Sequence, residues 1–322
     1  MRQVIGRRPS VLPDMDPGGA IAAGLRRPWL IARLGRFVLE RFPLQSYGPL
    51  IVALVICGRT AASLTAGERF AVNWETVATA LAVACAFLQL RILDEIRDED
   101  ADRAGRPDRP LPSGLVTVAE LRAFAAISAL FGVALAASLG VAASACYVLA
   151  LLSIWLFGLD LPRRLPIRHG VLSYALMHSI IAPEILLFVW ATTASLPGGG
   201  ALAASVLLVW GAGLAMEVAR KTLMPSEERS GVETYSAELG RPRAVALAAL
   251  SLSVACLGAG ALAVAVGAAL ETAIVPFVAA GTIPLLARHF GDRIGTSAIR
   301  STSAILVLSL LLWPLVVALG IP

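Results

Sequence analysis

The sequence predicts an all-α fold, a polytopic membrane bundle of about nine transmembrane helices. Three observations carry that expectation. The composition is 57% hydrophobic and only 15% charged, with a mean hydropathy of +0.78, which is too apolar for a soluble domain. Stretches of roughly twenty apolar residues, the length needed to cross a bilayer core, recur along the chain. Every second connection between them is rich in arginine, as expected when cation-bearing loops stay on the cytoplasmic side.

Taken in order, residues 1–44 are rich in arginine, proline and glycine and lack the apolar core and cleavage site of a signal peptide. They are expected to form a cytoplasmic segment, disordered or lying on the surface, ahead of a transmembrane domain over 45–322. Spans are expected at 45–66, 74–93, 118–139, 142–158, 171–195, 201–219, 243–267, 270–287 and 301–320. The third and fourth are parted only by Gly140-Val-Ala, and the seventh and eighth only near Gly267. Cations gather in the amino-terminal segment, after the second span, at Arg163, Arg164 and Arg168, from Arg220 to Arg243, and at Arg288, Arg293 and Arg300. The opposite connections carry little beyond Arg69, so the amino terminus is placed inside and the carboxyl terminus outside. This asymmetry accounts for the net charge of +5, and no nucleic-acid partner is expected. The cysteines, Cys57, Cys85, Cys146 and Cys256, all fall in apolar stretches without paired metal spacing, so they read as packing residues.

The chain is organised around Gln89 to Asp102, which leaves the second span directly and concentrates acid where a helix meets water. Continued as one helix, Asp94, Asp98 and Asp102 share a face, with Glu95 and Glu99 beside them. Like charges at that spacing cost roughly 0.2–0.5 kcal/mol a pair, so something must offset the sum. Magnesium is the natural candidate, because it is bound through one or two carboxylates while substrate phosphates complete its oxygen shell. Arg106, Arg109 and a Pro-Leu-Pro-Ser-Gly turn follow as a cationic layer. A second charged loop, Glu217 to Gly240, falls on the same side four spans later and suggests a weak internal repeat. It carries Arg220 and Lys221, the only lysine in the chain and a candidate point-charge contact to phosphate.

Two such loops over an apolar interior suit an amphiphile with an anionic head and a greasy tail, and an isoprenyl diphosphate fits. Magnesium would neutralise the departing diphosphate. Arg106, Arg109 and Lys221 would donate charge-assisted hydrogen bonds to it. A lipid-buried interior would keep the allylic cation from water. Within the spans, Glu184 lies near mid-depth, where a carboxylate costs about 2.5–3.5 kcal/mol and needs a cavity or a partner, with Arg59 a candidate. Tyr174 and His178 lie on the cytoplasmic side of Glu184, and any of the three could serve an acceptor as a polar handle or base.

Asp94-Glu95-Ile-Arg-Asp98-Glu-Asp-Ala-Asp102 resembles the first aspartate-rich motif, Asn-Asp-x-x-Asp-x-x-x-Asp, of the UbiA superfamily of intramembrane prenyltransferases. Arg106-Pro-Asp-Arg109-Pro-Leu-Pro-Ser-Gly114 is similar to that family's Arg-Pro-x-Pro-Ser-Gly continuation, and Gly231-Val-Glu-Thr234 to the Gly-x-x-Thr that follows its second motif. The resemblance implies an all-helical bundle whose central cavity is capped by two cytoplasmic charged loops, binds the diphosphate through Mg2+, and opens laterally to membrane lipid. Carried over by residue, Asp94 stands in the asparagine's place and Glu95 in that of the first aspartate, while Asp98 and Asp102 match directly. No aspartate lies between Glu217 and Gly240, and only Glu227 and Glu228 fall where the second motif's carboxylates belong. The expected metal ligands are therefore Asp94, Glu95, Asp98, Asp102 and Glu227. Asp94, Asp98, Asp102 and Lys221 are the expected catalytic residues, and Arg106, Arg109, Arg220, Glu227, Glu228, Tyr174, His178 and Glu184 the expected substrate contacts. The expected activity is transfer of an isoprenyl group to a lipophilic or aromatic acceptor, by a multi-pass protein of a bacterial cell membrane with its active site facing the cytoplasm. Two alternatives stay open: a UbiA-type terpene cyclase, and a non-catalytic transporter of lipid or cations.

Overall fold

The computed structural model describes residues 29–158, 171–193, 198–228, 232–290 and 294–320. Every regular element among them is helical: α1 (Leu30–Arg41), α2 (Leu44–Ala66), α3 (Trp74–Arg97), α4 (Glu99–Gly105), α5 (Val118–Ser138), α6 (Val141–Gly158), α7 (Val171–His178), α8 (Ile181–Ala191), α9 (Gly199–Arg220), α10 (Tyr235–Leu239), α11 (Arg241–Ala265), α12 (Leu270–Phe290), α13 (Thr296–Leu311) and α14 (Trp313–Ala318), with one 3-10 turn at Pro225–Glu227. Among the described residues nine helical segments are long and apolar enough to span a membrane, the fifth made of α7 with α8 and the ninth of α13 with α14. The protein is an integral, multi-pass membrane protein.

The ends of these helices have local causes. Asn73 starts α3 by accepting the Thr76 N–H at 3.1 Å, while the Thr76 hydroxyl accepts the Asn73 N–H at 3.3 Å. Thr117 and Glu120 cap α5 in the same reciprocal way. The fifth span breaks after His178 because Pro183 has no N–H and its ring crowds the carbonyl of Ser179. At the break the Trp210 indole N–H donates to the Ser179 hydroxyl at 2.7 Å. The ninth span departs most from its expected range, starting at Thr296 rather than residue 301, and the second departs where it matters for the site. It runs to Arg97 rather than residue 93, so Asp94 and Glu95 belong to its last turn.

Apolar attraction between helices is weak when lipid competes for the same surface, so close approach of backbones holds such bundles together. A Cβ on Gly211 of α9 would stand 2.5 Å from the Ala255 nitrogen of α11, and one on Gly258 would meet the Leu208 backbone just as closely. Outward faces, such as Ile127, Leu130 and Phe131 on α5 and Val275, Val278 and Leu285 on α12, remain exposed to lipid.

Residues 30–41 of the segment expected to be disordered or surface-lying form α1, an amphipathic helix against the ends of α3 and α5. Phe37 is fully buried in a cluster with Ile92, Leu111, Val116 and Leu121. Arg33 forks onto the Glu120 carboxylate at 2.8 and 2.6 Å. Ile31 and Leu39 on its other side are exposed, as in a helix that lies in a membrane interface. Arg163, Arg164, Arg168, Arg229, Gly231 and Arg293 lie outside the described residues.

Candidate functional site

The last turn of α3 presents two carboxylates to solvent. The Asp94 side chain is 35% exposed and that of Asp98 51%, and the Arg97 guanidinium reaches both, at 2.7 and 3.1 Å. Asp98 itself, at φ −89° and ψ 6°, separates α3 from α4.

Glu95 does not join them. Its side chain is 2% exposed, and its carboxylate accepts two hydrogen bonds from Arg41, both 2.6 Å, and one from Arg91 at 2.7 Å, with Arg109 at 3.7 Å. The expectation of a metal ligand at Glu95 is therefore corrected: one step along a helix turns its side chain about 100° from Asp94, into the arginines between α1 and the first loop. Asp98 is the one residue between α3 and α4; backbone bonds of 2.9 Å from its N–H to the Asp94 carbonyl and from the Asp102 N–H to its own carbonyl continue through it, and the Asp102 carboxylate pairs with Arg109. Arg109 is held for that role by the loop, in which its carbonyl accepts the Ser113 N–H at 2.9 Å, Leu111 and Val116 are buried, and Gly114 takes a left-handed φ of 74°. Arg109, expected to bind substrate, pairs with Asp102 and lies 3.7 Å from Glu95.

In the second loop Glu227 accepts from the Thr296 hydroxyl, where α13 begins, and from the Met224 N–H at 3.1 Å. These two hydrogen bonds, with Arg300 and Arg241 nearby, hold its carboxyl below the usual carboxylate range. Glu228 accepts from the hydroxyls of Thr234 at 2.7 Å and Ser236 at 2.5 Å. Both glutamates shape the loop through these hydrogen bonds, and Glu227, expected as a metal ligand, is exposed. Arg106, from the first loop, lines a cleft of about 470 Å³ with Leu223, Ser226, Glu227, Glu228, Thr296 and Arg300.

Sequence reasoning passed over Glu217 as a site residue. At the end of α9 its carboxylate takes Arg220 at 2.7 Å and Lys221 at 3.0 Å, and the spacing of Glu217 and Lys221, one turn apart, was the available signal. His178, at the end of α7, lies within electrostatic reach of Asp94 and Arg97 from α3 and of Glu217 and Lys221 from α9. Arg220 likewise lies within reach of Asp94 and Tyr47. The ends of α2, α3, α7 and α9 therefore converge on one charged surface, with the His178 ring against Phe157 beneath it at 5.5 Å.

Deeper in the bundle the buried Glu184 accepts the Ser153 hydroxyl at 2.8 Å, and its other oxygen has no hydrogen-bond partner among the described residues. The expected pairing with Arg59 is not formed. Arg59 turns to the far end of the bundle, where the Thr192 hydroxyl at 3.0 Å satisfies one of its amino groups. Tyr174 lies on α7, but its side chain is outside the described residues.

Among the described residues no three His, Cys, Asp or Glu side chains close on one point to cage a metal ion. The exposed pair Asp94 and Asp98, sharing one guanidinium, fits a cation held by one or two carboxylates with water or substrate oxygens completing its shell. Glu95, Asp102, Glu227 and Glu228 each accept hydrogen bonds from other side chains of the chain.

A model of the UbiA prenyltransferase family matches residues 51–298. No curated protein matches the chain. A solved digeranylgeranylglyceryl phosphate synthase is similar with a TM-score of 0.63 at 18% identity, covering 90% of this chain and 100% of that one. The apo structure of a UbiA homolog from Aeropyrum pernix K1 follows at 0.60 and 20% identity, covering 84% and 96%. A UbiA homolog from Archaeoglobus fulgidus, bound to Cd2+, is similar at 0.53 and 12% identity, covering 85% and 98%.

Proposed function

The chain belongs to the UbiA prenyltransferase family, and from that premise we propose that it moves an isoprenyl group from its diphosphate to a lipophilic or aromatic acceptor at the surface where α3, α7 and α9 meet. The observation that supports this most is the convergence of Asp94, Arg97, His178, Glu217, Arg220 and Lys221 at one end of an apolar, lipid-embedded bundle. By the distribution of arginine in the loops, that end faces the cytoplasm.

In this reading the diphosphate sits between α3 and α9. Lys221 and Arg220, both tethered to Glu217, swing from that carboxylate to the phosphate oxygens. Asp94 and Asp98 would hold a divalent cation, magnesium by donor preference, which when bound supplies positive charge to the leaving group. The allylic carbon–oxygen bond breaks with its electron pair leaving on the diphosphate. The buried apolar side chains below keep water from the cation until the acceptor attacks. The proton that the acceptor loses passes to His178, at the charged surface, or to Glu184, whose second carboxylate oxygen is open.

The test offers purified protein ten-, fifteen- and twenty-carbon allylic diphosphates, with and without magnesium and with and without aromatic or lipid acceptors, and measures diphosphate release and product mass. Magnesium-dependent release that requires an acceptor supports the transferase. Release without acceptor, yielding a cyclic hydrocarbon or alcohol, would make it a terpene cyclase. No release from folded protein would favour a transporter.

A further inference from the structure

At the other end of the bundle, about 29 Å along α3 from Asp94 to Glu75, a second polar site is formed by the turn between α2 and α3 and the end of α8. Its cleft of about 240 Å³ is lined by Arg59, Ser63, Glu68, Arg69, Asn73, Glu75 and the Thr192–Thr193 pair. That is smaller than the roughly 300–1,000 Å³ of pockets that enclose whole drug-sized ligands, and suits a head group.

The charges in it are unusual for a structural pair. Arg59 is 5% exposed, within a membrane span. Its contacts are neutral: the Thr192 hydroxyl at 3.0 Å, the Thr192 carbonyl at 3.3 Å and the Asn73 amide oxygen at 3.4 Å. Among the described residues its Nε has no hydrogen-bond partner, and neither does the buried Oε2 of Glu75. The two are within electrostatic reach of each other, yet among the described residues they form no ion pair. A buried guanidinium and a half-buried carboxylate with one oxygen shut away from water, facing one cleft and remaining apart, are costly unless something carrying both opposite charges lies between them. Exposed Arg69 and Glu68 repeat the same two signs at the rim.

The mouth lies at the membrane boundary, marked by Trp74 and Val72, which are 58% and 74% exposed at the start of α3. Among the described residues no aromatic side chain lines the cleft, which therefore lacks the cage that a quaternary ammonium favours. A carboxylate oxygen without a donor suits an N–H-bearing ammonium instead. We propose that this cleft binds a zwitterionic head group carrying a phosphate and a primary ammonium, the phosphate against Arg59 and Arg69 and the ammonium against Glu75 and Glu68.

The experiment uses the full chain in dodecyl maltoside micelles and measures, by native mass spectrometry, retention of dihexanoyl phosphatidylethanolamine, phosphatidylcholine and phosphatidylglycerol. Phosphatidylethanolamine is expected to bind about tenfold more tightly than either of the others. Glu75→Gln should abolish the preference over phosphatidylglycerol without weakening the latter, and Arg59→Gln should weaken all three by about tenfold. Whether free O-phosphoethanolamine displaces the lipid decides between a soluble zwitterion and a lipid as the source, recognition being supported in either case. A melting curve checks that each variant is folded; should Arg59→Gln fail to fold, Arg69→Gln at the exposed rim takes its place, with the same loss expected. Equal retention of the three lipids by the wild type, or a preference that survives Glu75→Gln, overturns the proposal.

Discussion

Replacing Glu95 with glutamine separates its structural role from the metal-binding role that its place in the motif suggests. The carboxylate is 2% exposed and faces Arg41, Arg91 and Arg109 at 2.6, 2.7 and 3.7 Å. An amide there loses the charge and turns an N–H group toward guanidinium donors. Removing one partner of a buried ion pair costs about 3–5 kcal/mol, because the opposite charges stay behind unpaired. Glu95→Gln is therefore expected to destabilise the protein by about that amount. It should also release α1, whose Arg41 is tied to Glu95, so that protease reaches residues 30–41 more readily. Asp98→Asn makes the contrast. Its side chain is 51% exposed, and a surface change of that kind stays within about 0.5 kcal/mol. Thermal melting in detergent with limited proteolysis measures both. A Glu95→Gln protein that melts with the wild type, keeps α1 protected and loses only metal-dependent turnover would refute this reasoning.

Three further outcomes are expected. Lys221→Ala should raise the KM for the diphosphate substrate roughly tenfold while leaving the melting temperature close to wild type, since its ammonium pairs with Glu217 one turn back on its own helix and its contacts across the loop are made by the backbone carbonyl, which alanine keeps; a substrate titration with a melting control reads this. Glu227 has a folded-state pKa below the ordinary carboxylate value, so its contribution to stability is complete above that ordinary value and is lost as pH falls through the folded one. Acid should thus loosen the second loop, and Glu227→Gln should flatten that part of a stability–pH profile. Gly258→Val places a branched side chain against the Leu208 backbone and should cost about 1–3 kcal/mol or more, seen as a lower melting temperature with the site residues untouched.

The spans were legible because bilayer thickness sets their length and water–lipid partition sets their composition, so their ends fall within a few residues of the observed ones. The site was legible in its residue types more than in its geometry. Asp94, Asp98 and Lys221 reach the charged surface at the ends of α3 and α9. Glu95 does not, because a motif string says nothing of the arginines that arrive from α1, 54 residues earlier. Glu227 and Glu228 were placed by loop position, and only the fold reveals that hydroxyls from Thr296, Thr234 and Ser236 occupy them. Arg59 and Glu184 both lie inside spans, which invited pairing, but depth along a helix does not fix which end a long side chain reaches for.

The central claim is that carboxylates at the end of α3 and cations at the end of α9 act on one diphosphate. Diphosphate release by Asp94→Asn and Asp98→Asn, followed across magnesium concentrations with melting as a control, tests it most directly. Each variant should melt with the wild type and lose release by about a hundredfold or more, with part of the loss recovered at high magnesium if the carboxylates bind the cation. Folded variants of both that release diphosphate at wild-type rates, with unchanged magnesium dependence, would contradict it.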